Sequence, residues 1–192
     1  SGHSGTLHPG ATGLLPMGLG ESTKALSILL LGPKEYYSIA RFHSHFDIEL
    51  LEKVLSEFHG DIYQRPPQRS SVKRMTRIRR IHEIEYVEEN DKLILLRILC
   101  QAGTYIRKLI YDIGEIMGSG ASMVELRRTR VSHFFERDGL IKLHDLYNAF
   151  YLYKQKNEEE NLRNMIKPIE ICFKELPAVI IRDTAVDALC HG

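Results

Sequence analysis

The opening stretch SGHSGTLHPGATGLLPMGLG, residues 1–20, is dense in Gly, Ser and Thr, and sets His8 directly before a proline. Such composition makes a loop shaped by its backbone, built to hold something close. His8 is the side chain in it with chemistry to offer. Imidazole is a nucleophile, and at neutral pH about half of it or more is uncharged. Other reactive groups are poorly placed for joint work. His43 and His45 in FHSHF would share one face of a strand, but no carboxylate or Cys accompanies them at metal-ligand spacing. Cys100, Cys172 and Cys190 lie far apart, which suits neither a metal site nor a disulfide framework. The Gly-rich opening lacks the GK[ST] ending of a phosphate-binding P-loop. No Ser-His-Asp set follows from residue order alone.

The elements that must position such a loop are legible in part. ESTKALSILLL reads equally as helix or strand. KEYYSIARFH is rich in β-formers and predicts a strand at about 35–42. In DIELLEKVLSEFHG, Asp47 is the expected N-cap. Ile48, Leu51, Val54, Leu55 and Phe58 share a helical face, and Gly60 stops it. Pro66 and Pro67 argue against regular structure in DIYQRPPQRSS. IHEIEYVE and KLILLRILC read as strands joined by a hairpin turn in EENDK. Thr104 should cap a helix bearing Ile106, Leu109, Ile110, Ile113, Ile116 and Met117, with Gly118 at its end. VELRRTRVSHF reads as a strand and LHDLYNAFYLYKQK as an amphipathic helix. ENLRNMI, KPIEICFKEL and TAVDALCHG suggest short helices around a strand at AVIIRD. Helices interspersed with hairpin-linked strands predict an α+β fold, a mixed and mainly antiparallel sheet flanked by helices.

The 192 residues fit one domain with room for a core. No apolar run approaches the roughly 20 residues that span a bilayer, and the Gly-rich start is unlike a secretory signal. The cysteine pattern predicts a reducing, intracellular setting. The formal net charge is only +1, but charge is segregated. Seven Lys/Arg and no acid lie between Arg65 and Arg80, among them Lys73, Arg74 and Arg77. Arg127, Arg128 and Arg130 form a second cluster, and Arg107 and Lys108 lie between the two. Segregated basic stretches can present one face to nucleic-acid phosphate, so the two clusters are expected to line a single phosphate-facing surface.

These segments, in order, resemble the TruB family of pseudouridine synthases. GHSGTLHPGATGLLPMGLGESTK is similar to its signature loop, KEYYSIARFH to its Lys-x-Tyr strand, and GDIYQRPPQRSSVKR to its Gln-x-Pro-Pro…Val-Lys segment. CQAGTYIRKLIYDIGEIMGSGASMVELRRTR resembles its Gly-Thr-Tyr-Ile-Arg helix and Leu-Arg-Arg strand. RRTR, LHDL and the tail are most similar to the H/ACA-guided branch, which comprises the archaeal enzyme and dyskerin. The resemblance covers essentially the whole chain. It implies a catalytic-domain piece over 1–192, lacking the family's N-terminal strand and C-terminal PUA domain. It implies RNA uridine as substrate, no cofactor and no metal. Guide RNA, substrate RNA and small accessory proteins would be the partners, with no membrane. The setting would be the cytoplasm in an archaeon and the nucleolus in a eukaryote.

The resemblance also assigns roles. In the family an aspartate attacks a flipped-out uridine, the glycosidic bond breaks, and the base turns and rejoins through C5. His8 stands at that aspartate's position. Tyr36 matches the tyrosine packed on the target base and implicated in proton removal at C5. Arg107 matches the arginine that pairs with the aspartate, and Tyr105 lies beside it in the same motif. Leu126 matches an apolar pocket wall, His3 a loop histidine near the flipped nucleotide, and Lys24 a motif position without an assigned role. One flipped base must touch several of these, so His8, Tyr36, Arg107 and Leu126 are expected to converge. A neutral His8 would neither pair with Arg107 nor replace a carboxylate. The site is therefore expected to keep its architecture and lose most of its chemistry. A non-catalytic RNA-binding scaffold on the same fold is the alternative, and a stand-alone tRNA-modifying enzyme a weaker third reading.

Overall fold

A computed structural model of the protein describes residues 1–65 and 75–191. Pro66, Pro67, Lys73 and Arg74 lie outside the described residues. Among the described residues the elements are β1 (Gly2–His3), β2 (Ala11–Gly13), β3 (Met17–Gly18), α1 (Leu26–Leu31), β4 (Lys34–Phe42), α2 (Ile48–Glu57), β5 (Gly60–Gln64), β6 (Arg77–Asn90), β7 (Leu93–Cys100), α3 (Ile106–Ile116), β8 (Ala121–Val131), β9 (Phe134–Phe135), α4 (Leu143–Lys156), α5 (Glu160–Met165) and α6 (Asp183–His191). Short 3-10 turns join some of them, at Gly20–Lys24, Glu136–Asp138 and Ile169–Phe173.

One sheet organises the fold, in the order β2-β8-β4-β7-β6-β5, with β9 also paired to β8. All its pairings are antiparallel except β2 with β8. The α+β expectation, a mainly antiparallel sheet flanked by helices, therefore holds. Strand β7 shows how the sequence divides the faces. Ile94, Leu96, Ile98 and Cys100 alternate into the core. Arg97 points to the other face, where it pairs with Glu35, Glu83 and Glu85.

Helices α2 and α3 cover the core face. Leu51, Val54 and Leu55 of α2 and Ile106, Leu109, Ile110 and Ile113 of α3 join Ala40, Phe42, Ile81 and the β7 residues in one cluster. The Asp47 side chain caps α2 by accepting from the Glu49 amide at 2.9 Å. Gly114 is where α3 crosses β8. A Cβ there would stand 2.1 Å from the Ala121 amide nitrogen, so only glycine permits this approach.

Several expectations need correction. DIYQ is a strand, since Gly60–Gln64 form β5 and pair with β6. Thr104 does not cap α3. Its hydroxyl donates back to the Gln101 carbonyl at 2.7 Å, and Tyr105 takes the N-cap position. AVIIRD forms no strand. Its apolar residues have no partner strand among the described residues, and Ile180 is 99% exposed. ESTKALSILLL resolves into a 3-10 turn followed by α1.

Burial pushes the Cys100 thiol up to about 12, leaving roughly a thousandfold less thiolate near neutral pH than an ordinary thiol carries. Cys172, half-buried, is also raised by burial, whereas Cys190 is exposed. Iodoacetamide at pH 8 is expected to label Cys190 first and to leave Cys100 unlabelled until the protein is unfolded. Peptide mass mapping over time reads the order, and early labelling of Cys100 would contradict its place in the core.

Candidate active site

The loop carrying His8 is held from below by one buried side chain. Arg128, on β8, is 2% exposed. Its Nε donates to the Leu14 carbonyl at 2.9 Å and its Nη2 to the Gly5 carbonyl at 3.2 Å. The Leu14 amide returns a bond to the Arg128 carbonyl at 2.7 Å. One arginine thus ties both ends of residues 5–14 to the sheet. Gly13, at φ +104°, makes this possible, since a Cβ there would lie 2.2 Å from the Arg128 carbonyl oxygen.

At the tip of that loop, His8 meets α3. Nη2 of Arg107 lies 2.7 Å from His8 Nε2. On the other side of the ring, the Gly10 amide donates to Nδ1 at 3.1 Å. Both neighbours are donors. A neutral imidazole has one acceptor nitrogen and one N–H, and the imidazolium has two N–H groups. No protonation state of histidine accepts from both. A carboxylate, with acceptors only, satisfies both at once. His8 and Arg107 are thus in contact, in a geometry that suits the ring poorly.

Tyr36 and Leu126 lie close by on the sheet. In register, Tyr36 sits opposite Arg128 and Ser38 opposite Leu126, while Leu126 pairs with Ala11 of the loop strand β2. Leu126 is buried in the core cluster, and Tyr36 packs against it from the same face. Burial pushes the Tyr36 phenol up, opposed by the nearby Arg128 guanidinium. Lys34, two residues before Tyr36, is buried and donates to the Leu29, Leu30 and Gly32 carbonyls at the end of α1. Burial and the nearby Arg128 bring its pKa down to about 8.

The remaining sequence candidates are less central. His3 is exposed on β1, opposite Met17. Lys24 is exposed and paired with Glu21. His43, just past β4, has its Nε2 at 3.3 Å from the Ser122 hydroxyl, and both His43 and His45 are exposed. Among the described residues no group of three or more His, Cys, Asp or Glu is arranged so that it could hold a metal ion.

Among the described residues the arginines do not line a single basic surface. Strand alternation turns neighbouring arginines to opposite faces. Arg128 is buried under the loop. Arg127 is paired with Glu136 and also reaches the Thr12 hydroxyl. Arg130 donates to the Ser132 carbonyl and stacks on Phe135. In β6, Arg77 and Arg79 are half-buried, whereas Arg80 is exposed and pairs with Asp61. Arg65 is exposed at the end of the described segment. Arg79 lies on the α3 side, its guanidinium against Gly103.

One residue stands in a family motif without a role read from the sequence. Gln64, 1% exposed at the end of β5, exchanges two hydrogen bonds with the backbone of Tyr105. Its signal is its place as the glutamine of the Gln-x-Pro-Pro stretch.

Comparison with known proteins fits this architecture. Residues 1–106 match the family described as TruB family pseudouridylate synthase (N terminal domain), and residues 107–174 match tRNA pseudouridylate synthase B C-terminal domain. A relative in Methanopyrus kandleri named "Probable tRNA pseudouridine synthase B" is 49% identical over all of this chain and 56% of its own length. A relative of the same name in Saccharolobus solfataricus is 49% identical over 93% of this chain and 71% of its own. Among solved structures, one chain of a Cbf5-Nop10-Gar1 complex superposes with a TM-score of 0.92 at 44% identity. It covers 100% of this chain and 58% of that chain. One chain of an H/ACA RNP bound to a substrate RNA containing 2'-deoxyuridine gives 0.89 at 40% identity, with 100% of this chain and 57% of that chain covered. The chain thus spans little more than half the length of several of these relatives. With family models matched across residues 1–174, and with this fold and identity, the chain belongs to the TruB family of pseudouridine synthases.

Proposed function

We propose that residues 1–192 are the catalytic domain of a longer RNA pseudouridine synthase of the H/ACA-guided kind, with His8 at the seat of its nucleophile. The observation that carries this reading is the pair of donors converging on His8. The Gly10 amide and Arg107 Nη2 approach one side chain from two sides, and an aspartate there would accept from both. Such a carboxylate would be held anionic by the guanidinium and aimed by the loop. Tyr36 would pack on the flipped uracil and serve proton removal at C5. Leu126 would form an apolar wall, and Tyr105 would flank the base. His3 and Lys24 would act at the rim.

With histidine at position 8 the chemistry is impaired. The imidazole cannot satisfy both donors. RNA recognition does not depend on that side chain. We assign phosphate contacts to Arg65, Arg77, Arg127 and Arg130, and to Lys73 and Arg74, which lie outside the described residues. The nature of the structural neighbours supports guide RNA, substrate RNA and small accessory proteins as partners. The rival reading, an RNA-binding scaffold without catalysis, predicts the same binding and differs in turnover alone.

Two measurements test the proposal. Binding of a uridine-containing RNA should weaken steeply with salt, with log Kd rising by about 0.7–0.9 per tenfold salt for each phosphate neutralised. A flat response would remove the RNA partner. Pseudouridine formation by the same protein should be very low while binding persists, and rapid turnover with His8 in place would show that position 8 is not the nucleophile's seat.

A further inference from the structure

We propose that Gln64 is a positioning residue for Arg107, acting through the backbone at the start of α3. The inference rests on the functional reading above only for its catalytic consequence; the geometry stands apart from it. Gln64 ends the edge strand β5, and its side chain is 1% exposed. Its Oε1 accepts from the Tyr105 amide at 2.9 Å, and its Nε2 donates to the Tyr105 carbonyl at 3.1 Å. The primary amide therefore acts as one more residue of a β-ladder, engaging both backbone groups of a single residue.

Tyr105 is the N-cap of α3, in an extended conformation and without a side-chain cap. Its carbonyl already accepts the first intrahelical bond, from the Leu109 amide at 3.0 Å. The residue that Gln64 grips therefore sets where the helix begins. Arg107 follows two residues later, in the first turn, and is exposed. Helix starts fray because their amides lack intrahelical partners. A frayed first turn would move an exposed arginine by more than the tolerance of a 2.7 Å contact. The 41-residue separation also matters, because the grip comes from the far edge of the sheet and not from the helix itself. Local capping cannot replace it: Thr104, the nearest hydroxyl, is turned back to Gln101.

The pairing needs a donor and an acceptor on one side chain of this length. Glutamate keeps the acceptor and loses the donor, placing a carboxylate against the Tyr105 carbonyl. Alanine loses both. Gln64→Ala and Gln64→Glu should therefore release Arg107 to different degrees while α2, α3 and the sheet keep their packing.

The test uses the 15N-labelled chain. In the unmutated protein the Arg107 guanidinium should give a persistent Nε–H signal with resolved Nη groups, and the Tyr105 amide should be protected from hydrogen exchange. In Gln64→Ala the Arg107 signals should average and the Tyr105 protection should fall at least about tenfold, with core methyl signals unchanged. Gln64→Glu should fall between the two, and it decides the matter if the alanine variant does not fold. Unchanged Arg107 signals in a folded variant, or rapid exchange of the Tyr105 amide in the unmutated protein, would overturn the proposal. In a His8→Asp background, Gln64→Ala should lower kcat about tenfold or more with KM little changed, as expected for a misplaced group. If His8→Asp itself shows no turnover, the functional reading fails, and the Arg107 and Tyr105 signals still judge Gln64 independently.

Discussion

His8→Asp is expected to raise pseudouridine formation by about a thousandfold or more, with little change in RNA affinity. Losing a covalent nucleophile commonly costs orders of magnitude in rate, and restoring one should recover them. Aspartate brings an oxygen nucleophile on a side chain short enough for the loop. It also brings the acceptors that the Gly10 amide and Arg107 require. The change should stabilise the fold too, because two donors gain a partner that suits them. The comparison belongs in the longer protein assembled with guide RNA and accessory proteins, measuring pseudouridine and RNA binding separately. Equal turnover in both forms would mean that His8 itself serves or that the chemistry lies elsewhere. Binding without turnover in both would favour the scaffold.

Arg128→Ala should be the most damaging single change to the fold near the site. It removes two charged hydrogen bonds and leaves the Gly5 and Leu14 carbonyls with lost partners. Each buried polar group so stranded costs about 1–3 kcal/mol, and the emptied volume adds to this. A loss of about 3 kcal/mol or more is expected, a fall in Tm of about 6–12 °C. Arg128→Lys should rescue little, because an ammonium offers a point charge where a planar fork reaches two carbonyls. Urea melts monitored by circular dichroism measure both variants. A loss below about 1 kcal/mol in Arg128→Ala would show that the loop is held by its own backbone.

The sequence by itself determined the elements whose patterns are local. The period of Leu51, Val54 and Leu55 makes α2, and Asp47 starts it. The alternation of Ile94, Leu96 and Ile98 makes a strand with one buried face. The ordered motifs also identified the family and named His8, Tyr36 and Arg107 before any coordinates. What they left open depends on contacts between distant segments. Arg127, Arg128 and Arg130 look alike in sequence. Only the pairing of β8 with β2 and β4 buries Arg128 under the loop and leaves its neighbours on other partners. Gln64 stands in the Gln-x-Pro-Pro stretch without a role until folding sets it against Tyr105. The mismatch at His8 is likewise tertiary. The sequence shows a histidine at a position where the resemblance implies an aspartate. Only the approach of a backbone amide and a guanidinium from opposite sides shows that the position asks for an acceptor that histidine cannot be.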